Sequence, residues 1–495
     1  MSDMTPHDTP GAAARGDASE RRPVPDATGA AHEPGELPDH ATEDALEPRH
    51  LIGLSEVVLR AGVLMLGAGT SSLRVRELMR RAAGALGLDR LQASISFTDI
   101  TLTVSRGSIF RTQVAETTSP GVNAHRIALL QSLNSSMPEH ISPNRLRRRL
   151  DEIEHTPPLY PLWLLALLVG LACSSVTVLQ HGGWREVLAV FPASALAFTL
   201  LRLLARHQIN HLAGVLVSAA TASGTFYLFT RVIDASLGDS SSHMAAGFIG
   251  TALFLIPGFP LVTGALDLTR IDLTAGIPRI AYAGMVLIAI TIGVWIVASL
   301  SGVTPGVVPP FEGALWVTWT VRILASFGAV FGWAMMFNSP VPAAMASGVI
   351  AVLGNAVRLV MLDAGVVNHI ATFIGCVVIG LACALAGRLF GLEKIIMTVP
   401  TLLVVIPGST ALQTMLYFDK ADTVLAMSYA IATLLGVVAM VAGLSAARML
   451  TDPEWTFTRP DAPSLVSLVK GMGRKALGRS EPDVDEQNPS EPTRH

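Results

Sequence analysis

The sequence predicts an all-α polytopic membrane protein of about ten transmembrane helices, arranged as two inverted five-helix repeats, with an N-terminal cytoplasmic α+β domain. Three observations predict it. Of 495 residues, 51% are hydrophobic and 15% charged, too apolar a balance for a soluble globular chain. From Tyr160 on, the apolar runs each approach the ~20 residues that carry a helix across ~30 Å of hydrocarbon. Finally, a Pro-Gly break inside one run recurs 150 positions later: Phe254 to Asp272 reads FLIPGFPLVTGALDLTRID and Leu402 to Asp422 reads LLVVIPGSTALQTMLYFDKAD. Ile256, Pro257 and Gly258 thereby align with Ile406, Pro407 and Gly408, and Asp272 aligns with Asp422.

Charge and cysteine content exclude several classes. The net charge of −3 is small and the acids gather in the two tails, which argues against a nucleic-acid partner. Cys173, Cys376 and Cys383 all lie in apolar runs, so neither a disulfide framework nor a metal site is expected, and no cofactor motif is present. The N-terminus lacks the basic, apolar and small-residue succession of a signal peptide; the start of the chain is expected in the cytoplasm.

In chain order, residues 1–48 are rich in Pro, Asp, Glu, Ala and His without apolar periodicity and are expected to be a disordered tail. Residues 49–155 are expected to form the cytoplasmic α+β domain. Apolar residues recur at helical spacing over 52–66, and again over 73–86 behind a capping cluster at Thr70 to Ser72. The period then drops to two. Leu91, Ala93, Ile95 and Phe97, then Ile100, Leu102 and Val104, alternate with polar residues, and a third strand follows at 109–115. Helices over 122–136 and 142–154 end at Pro157-Pro158.

Ten spans follow, at 161–179, 187–205, 211–230, 245–266, 280–299, 315–336, 341–361, 368–387, 395–417 and 423–446. They divide into a first repeat, 160–305, and a second, 315–450. Residues 451–495 are expected to be a cytoplasmic tail, in which Leu465 to Leu477 mixes apolar residues with Lys470, Arg474 and Lys475 as a helix on an anionic leaflet would. Arg145, Arg147, Arg148, Arg149, Arg202, Arg206, Arg270, Arg279, Arg388, Lys394 and Arg448 flank one side of the spans, against Arg185, Arg231, Arg358 and Lys420 on the other. The excess marks the cytoplasmic side and places both termini there.

Further matches fill out the repeat. Pro192-Ala193 aligns with Pro342-Ala343 at the same offset, Asn210-His211-Leu212-Ala213 with Asn368-His369-Ile370-Ala371 at an offset of 158, and Leu162-Trp163 with Leu315-Trp316. This register requires an insertion between the seventh and eighth spans and an equal deletion before the second Ile-Pro-Gly. An odd number of spans per copy inverts the second copy in the membrane, which lets a carrier expose one midplane site to either side in turn.

The candidate substrate-binding residues are Pro257, Gly258 and Thr263 at the first break and Pro407, Gly408, Ser409, Thr410 and Gln413 at the second. Proline removes a helical hydrogen bond, and freed backbone groups can hold a zwitterion, or the kinks can simply shape packing. Arg322, inside the sixth span, can meet a carboxylate, pair with an acid or snorkel. Asp267, Asp272, Asp419 and Asp422 are proton-coupling candidates or solvated loop ends. His211 and His369 either relay protons or bond between helices.

This layout, with GAGTSSLRVREL at Gly67 to Leu78, ten spans and Ile-Pro-Gly followed by an acidic loop, resembles the bacterial threonine/serine exporter family over residues 50 to 450. The resemblance implies export of threonine and serine driven by the proton motive force, in a multi-pass protein of the bacterial inner membrane, with a domain described as hydrolase-like in that family. The partners implied are the amino acid, protons and the lipid bilayer, and a homo-oligomer is among the assemblies allowed. Where that family is expected to carry an Asn-Ser-Ile-Arg-Asp sequence, this chain has Val262-Thr263-Gly264-Ala265-Leu266-Asp267, keeping the acid without the basic residue before it. The rivals are a membrane-anchored hydrolase-like enzyme and a channel. Gly69-Thr70-Ser71-Ser72-Leu73 lacks the second glycine of a nucleophile elbow, so the enzyme is not favoured.

Overall fold

A computed structural model describes residues 47–117, 121–238, 244–302 and 313–452. Nearly all of the expected N-terminal tail, and the surface helix expected at Leu465 to Leu477, fall outside the described residues.

The N-terminal α+β unit comprises α1 (Glu47–Gly67), α2 (Ser72–Ala85), β1 (Arg90–Ile95), β2 (Asp99–Arg106), β3 (Ile109–Glu116), α3 (Ala124–Ser135) and α4 (Pro143–Glu154). The strands form an antiparallel meander in which Leu91 faces Val104 and Ile100 faces Ala115. Alternation turns Ile100, Leu102 and Val104 inward, where they share one apolar cluster with Leu54, Val58 and Met79 of the two helices. Asn123 and Ser142 cap α3 and α4 by accepting from the amides of Arg126 and Arg145, satisfying donors that a helix start leaves free. Residues His50–Gly67 of α1 are themselves long and apolar enough to cross a bilayer, yet their leucines and valines belong to this cluster.

The apolar part begins with α5 (Leu162–Leu179), α6 (Trp184–Arg206) and α7 (His211–Leu237). A broken element follows, α8 (Met244–Ala252), a 3-10 turn (Leu253–Leu255) and α9 (Gly258–Thr269), and then α10 (Leu273–Leu300). The second set is α11 (Leu315–Met336), α12 (Val341–Asp363), α13 (Asn368–Phe390), the broken pair α14 (Lys394–Leu403) and α15 (Gly408–Asp419), and α16 (Thr423–Thr451). Counting α1, and taking α14 with α15 as one element, ten described elements are apolar and long enough to span, and α8 with α9, bent by 71°, is an eleventh candidate. Large apolar side chains such as Leu188, Val232, Ile288, Leu353 and Leu434 point outward, the inverse of a soluble fold and the arrangement a lipid solvent requires.

Packing follows the same order twice. In the first set α5 packs on α6, α6 on α7 and α7 on α10; in the second, α11 packs on α12, α12 on α13 and α13 on α16, while α5 and α11 pack on each other. The register differs from the one expected from sequence. Trp184–Arg206 and Val341–Asp363 are 157 positions apart at both ends, as are the starts of α7 and α13, whereas everything from α8 and α14 onward is 150 apart. Left-handed residues repeat in the same steps: His181 with Asn338 and Gln208 with Gly365 at 157, Ile271 with Ala421 at 150. Pro192 therefore does not correspond to Pro342, since one lies mid-helix and the other in the first turn. Likewise Asn210 caps α7, whereas Asn368 is already inside α13. No insertion separates the seventh and eighth spans. The seven-residue shift arises where α7 is four residues longer than α13 and its link to the break is three residues longer.

Candidate functional site

The two broken elements have one local geometry. Pro257 and Pro407 precede α9 and α15 with φ −77° in both and ψ of 65° and 56°. In each, the glycine amide closes a tight turn on the isoleucine carbonyl two residues back, Gly258 to Ile256 and Gly408 to Ile406, both at 2.8 Å. A proline amide cannot continue the helix, so the turn replaces the missing bond.

The breaks also seat against each other. A Cβ added at Gly258 would lie 2.6 Å from Leu403 Cδ2, and one added at Gly408 would lie 2.9 Å from Leu253 Cδ2. The two contacts are reciprocal, because Gly258 and Gly408, like Leu253 and Leu403, are 150 apart. Beside them, α8, α10 and α15 line a partly open cavity of about 60 Å³ between Leu253, Ile256, Ile290, Val294, Gly408 and Leu412. That volume holds a few waters.

The two threonines expected to supply polarity at the breaks are already engaged. Thr263 donates to the Phe259 carbonyl at 2.6 Å, and Thr410 donates to the Pro407 carbonyl at 3.0 Å while accepting from Thr433 at 2.7 Å. Ser409 and Gln413 are half-buried on α15. Arg322 is not brought to either break. It pairs with Asp363 at the end of α12, with one bond of 3.1 Å, and its guanidinium lies over the Trp319 ring.

Asp267 is buried at the end of α9, 2.7 Å from the Arg279 guanidinium on α10, with both side chains only 2% exposed. Asp272 caps α10 by accepting from the Ala275 amide and pairs with Arg76 at 3.2 Å. Ser72, the first residue of α2, joins them, with its hydroxyl 3.1 Å from Asp267 Oδ1 and 2.8 Å from Asp272 Oδ2. Two carboxylates and two guanidinium groups thus converge around one hydroxyl at the seam between the α+β unit and the first broken element. In the second set, Asp422 caps α16 in the same way, and Asp419 is exposed beside Ser299. His211 starts α7 stacked on Tyr282, which also meets Phe97 of the α+β unit. His369 lies in the uncapped first turn of α13.

The seam continues to the second set of helices. Arg74 of α2 is 3.7 Å from Glu393, the residue before α14. Burial pushes the Glu393 carboxyl above its ordinary range, with Arg74 and Arg448 pulling it back. The His125 amide donates to the Asn338 carbonyl at 3.1 Å, and Asn338 Nδ2 donates to Asn123 at 2.9 Å. Ser72, Arg76 and Arg279 went unrecognised as partners because Ser72 and Asp267 are 195 residues apart; for Arg279, an arginine near the start of an apolar run was the available signal.

An apolar helix array of ten or eleven candidate spans, with two Pro-Gly breaks in contact, is the architecture of a multi-pass membrane protein. The sequence comparisons place it in a family. Residues 56–301 match the model described as "Putative threonine/serine exporter" and residues 322–450 the model described as "Threonine/Serine exporter, ThrE", so the chain belongs to the threonine/serine exporter family of membrane transporters. The chain is 28% identical over 250 residues to the "Probable succinate transporter subunit YjjP" of Escherichia coli, covering 50% of this chain and 95% of that protein. It is 29% identical over 251 residues to the protein of the same description in Klebsiella aerogenes, covering 50% and 94%. No solved structure matches.

Proposed function

We propose that this protein is a secondary active transporter that exports threonine and serine from the bacterial cytoplasm, driven by the proton motive force, through alternating access of two inverted five-helix repeats in the inner membrane. The observation that carries the reading is the reciprocal seating of Gly258 on Leu403 and Gly408 on Leu253. Such a seat lets each half take the other's place when the two exchange conformations, as alternating access requires. Inversion follows from an odd number of crossings per copy. The α9–α10 link touches the α+β unit through Asp272, and in this reading the equivalent α15–α16 link lies on the opposite face. The two family models also divide the chain between α10 and α11, where one copy ends and the next begins. The basic residues flanking the spans on the side of the α+β unit support a cytoplasmic position for it and for both termini.

Asp267, with Asp272, is the coupling site in this reading, since an acid buried against an arginine can trade its ion pair for a proton as the halves move. Dicarboxylate export is the second reading, favoured by the succinate description carried by the half-length relatives.

The test is efflux of radiolabelled threonine, serine and succinate from preloaded cells lacking other exporters, with and without an uncoupler. Saturable efflux above the empty-vector control that collapses with the uncoupler, and again in Pro257→Ala plus Pro407→Ala, supports the reading. Efflux of all three solutes at the control level, with the protein present in the membrane, refutes it.

A further inference from the structure

We propose that Arg358, at the end of α12 remote from the α+β unit, is the receptor for a carboxylate on the transported solute. The inference rests on the reading of the chain as an exporter of carboxylate-bearing solutes and assigns that reading a binding site away from the two breaks. Helix α12 leaves the seam at Asn338 and Ser339 and runs 23 residues, about 33 Å at the helical rise. Arg358 lies in its penultimate turn, on the far face.

The Arg358 guanidinium is held by neutral oxygens alone. Nε donates to Thr372 at 3.3 Å, Nη1 to Asn355 at 3.5 Å and Nη2 to Asn368 at 2.9 Å. Arg76, Arg279 and Arg322 all have carboxylates, but no described residue forms an ion pair with Arg358. Three of its five N–H donors are engaged, leaving two for a planar acceptor. The holding groups are themselves fixed: Asn355 donates to Ser326 at 2.9 Å and Ser326 donates to the Arg322 carbonyl at 2.7 Å, with Asn355, Ser326 and Thr372 all buried.

Two features of the surroundings add to the positive potential and shape the site. The first turn of α13 has no side-chain cap, whereas Asn210 caps its counterpart α7, so the positive end of the helix dipole adjoins the guanidinium through Asn368. Just inside, α12 and α13 approach so closely that a Cβ at Gly354 would lie 2.2 Å from Ile379. Gly375 meets the stem of Arg358, 3.2 Å from its added Cβ to Arg358 Cβ, so the guanidinium is held at the end of this crossing nearest the 364–367 turn. The fold alone does not call for this cluster: 157 positions earlier, Asn355, Arg358 and Thr372 are replaced by Phe198, Leu201 and Val215. A lone guanidinium in an apolar setting is costly unless an anion meets it, and its fork matches two carboxylate oxygens. Threonine, serine and succinate share that group. An anionic lipid headgroup offers the same oxyanion chemistry, so the experiment separates the two sources.

The full chain is placed in phosphatidylcholine nanodiscs, and binding of threonine, serine, succinate and threonine amide is measured by calorimetry. The expected result is carboxylate binding by the wild type, weakened about tenfold or more in Arg358→Gln, the scale of losing one charged hydrogen-bonding partner, and only partly in Arg358→Lys, with threonine amide weak throughout. If Arg358→Gln does not fold, Asn355→Ala with Thr372→Val, which unseats the guanidinium, is expected to weaken carboxylates in the same order. Unchanged affinity in folded variants, equal affinity for threonine amide, or no carboxylate binding by the wild type overturns the inference. So does an Arg358-dependent response to added phosphatidylglycerol alone, which would make the site a headgroup site. Uncoupler-sensitive efflux that survives Arg358→Gln leaves the exporter reading standing and removes this site, whereas Arg358-dependent binding without efflux does the reverse.

Discussion

The two sets of helices share one break but close the hairpin after it differently. In the first, Asp267 on α9 meets Arg279 on α10 as a buried ion pair. In the second, 150 positions later, Tyr417 and Tyr429 take the same places and stack with centroids 5.3 Å apart and planes 7° from parallel. The backbones agree down to the left-handed residue in each turn, Ile271 and Ala421, and the aspartate that caps the next helix, Asp272 and Asp422. One geometry therefore accepts either a charged or an aromatic latch. The charged latch is the one that Ser72 and Arg76 of the α+β unit touch. The difference shows where charge meets the α+β unit: the aromatic pair closes its hairpin without charge, whereas the charged pair is the one in contact with Ser72.

The largest effect should come from breaking the charged latch on one side only. Asp267→Ala leaves Arg279 buried without its carboxylate and is expected to cost about 3–5 kcal/mol. Tyr417→Leu, which loses a stacked pair, is expected to cost about 1 kcal/mol. Thermal unfolding of the detergent-solubilised chain measures both. Replacing the pair together, Asp267→Leu with Arg279→Leu, should recover most of the loss, since the charge then goes with its partner. Equal costs at the two hairpins would remove the distinction drawn between them.

The reciprocal glycine seats give the next effect and test the symmetry itself. Gly258→Ala presses a methyl toward Leu403 and Gly408→Ala toward Leu253. Each is expected to cost about 1–3 kcal/mol, the range for overpacking a filled contact. The first should be worse because its approach is closer, 2.6 Å against 2.9 Å. Leu403→Ala should relieve the first and Leu253→Ala the second, with efflux following the same order. If the partners' rescues are interchangeable or absent, the breaks do not seat on each other as the geometry describes.

These residues also show how far the sequence could be read. Pro257-Gly258 and Pro407-Gly408 were legible because a broken helix needs residues that few other positions tolerate, so the offset of 150 survives in the letters. The offset of 157 did not, because α5 to α7 and α11 to α13 need only be apolar, and lipid-facing positions accept any large side chain. Turn residues kept it in conformation instead: His181 and Asn338 share a left-handed backbone with no shared side chain. Arg322 and Arg358 illustrate the limit at the level of a site. The one deeper within an apolar run proved to have Asp363, while the one near a span end meets only neutral oxygens. Spacing shows that a charge is in a span but not which helix faces it. The Ser72 to Asp267 contact was hidden for the same reason, since nothing local to GAGTSSL specifies an acid almost 200 residues on.

The smallest effect concerns the other place where the α+β unit meets the helices. His125 lies at the start of α3, where its amide holds the Asn338 carbonyl. Burial lowers its pKa from the ordinary 6.5, and Nδ1 has no hydrogen-bond partner. A histidine lowered in the folded state favours the neutral ring there, so its contribution is present above pH 6.5 and is lost as the pH falls through the lowered folded value. Acidification should therefore loosen this seam by less than about 1 kcal/mol, the scale of one part-screened charge. Glu393, raised by burial at the Arg74 contact, has the opposite sign: its contribution is greatest at low pH and is lost as the pH rises through its raised value. Hydrogen exchange in α3 and at the start of α14, followed from pH 8 to pH 5, reads the two separately. Protection in α3 should fall with acid and become flat in His125→Gln, while the start of α14 should gain protection over the same range. A common trend at both places would mean that neither residue controls its seam, leaving Ser72 with Asp267 and Asp272 as the contact that sets how the α+β unit follows the helices.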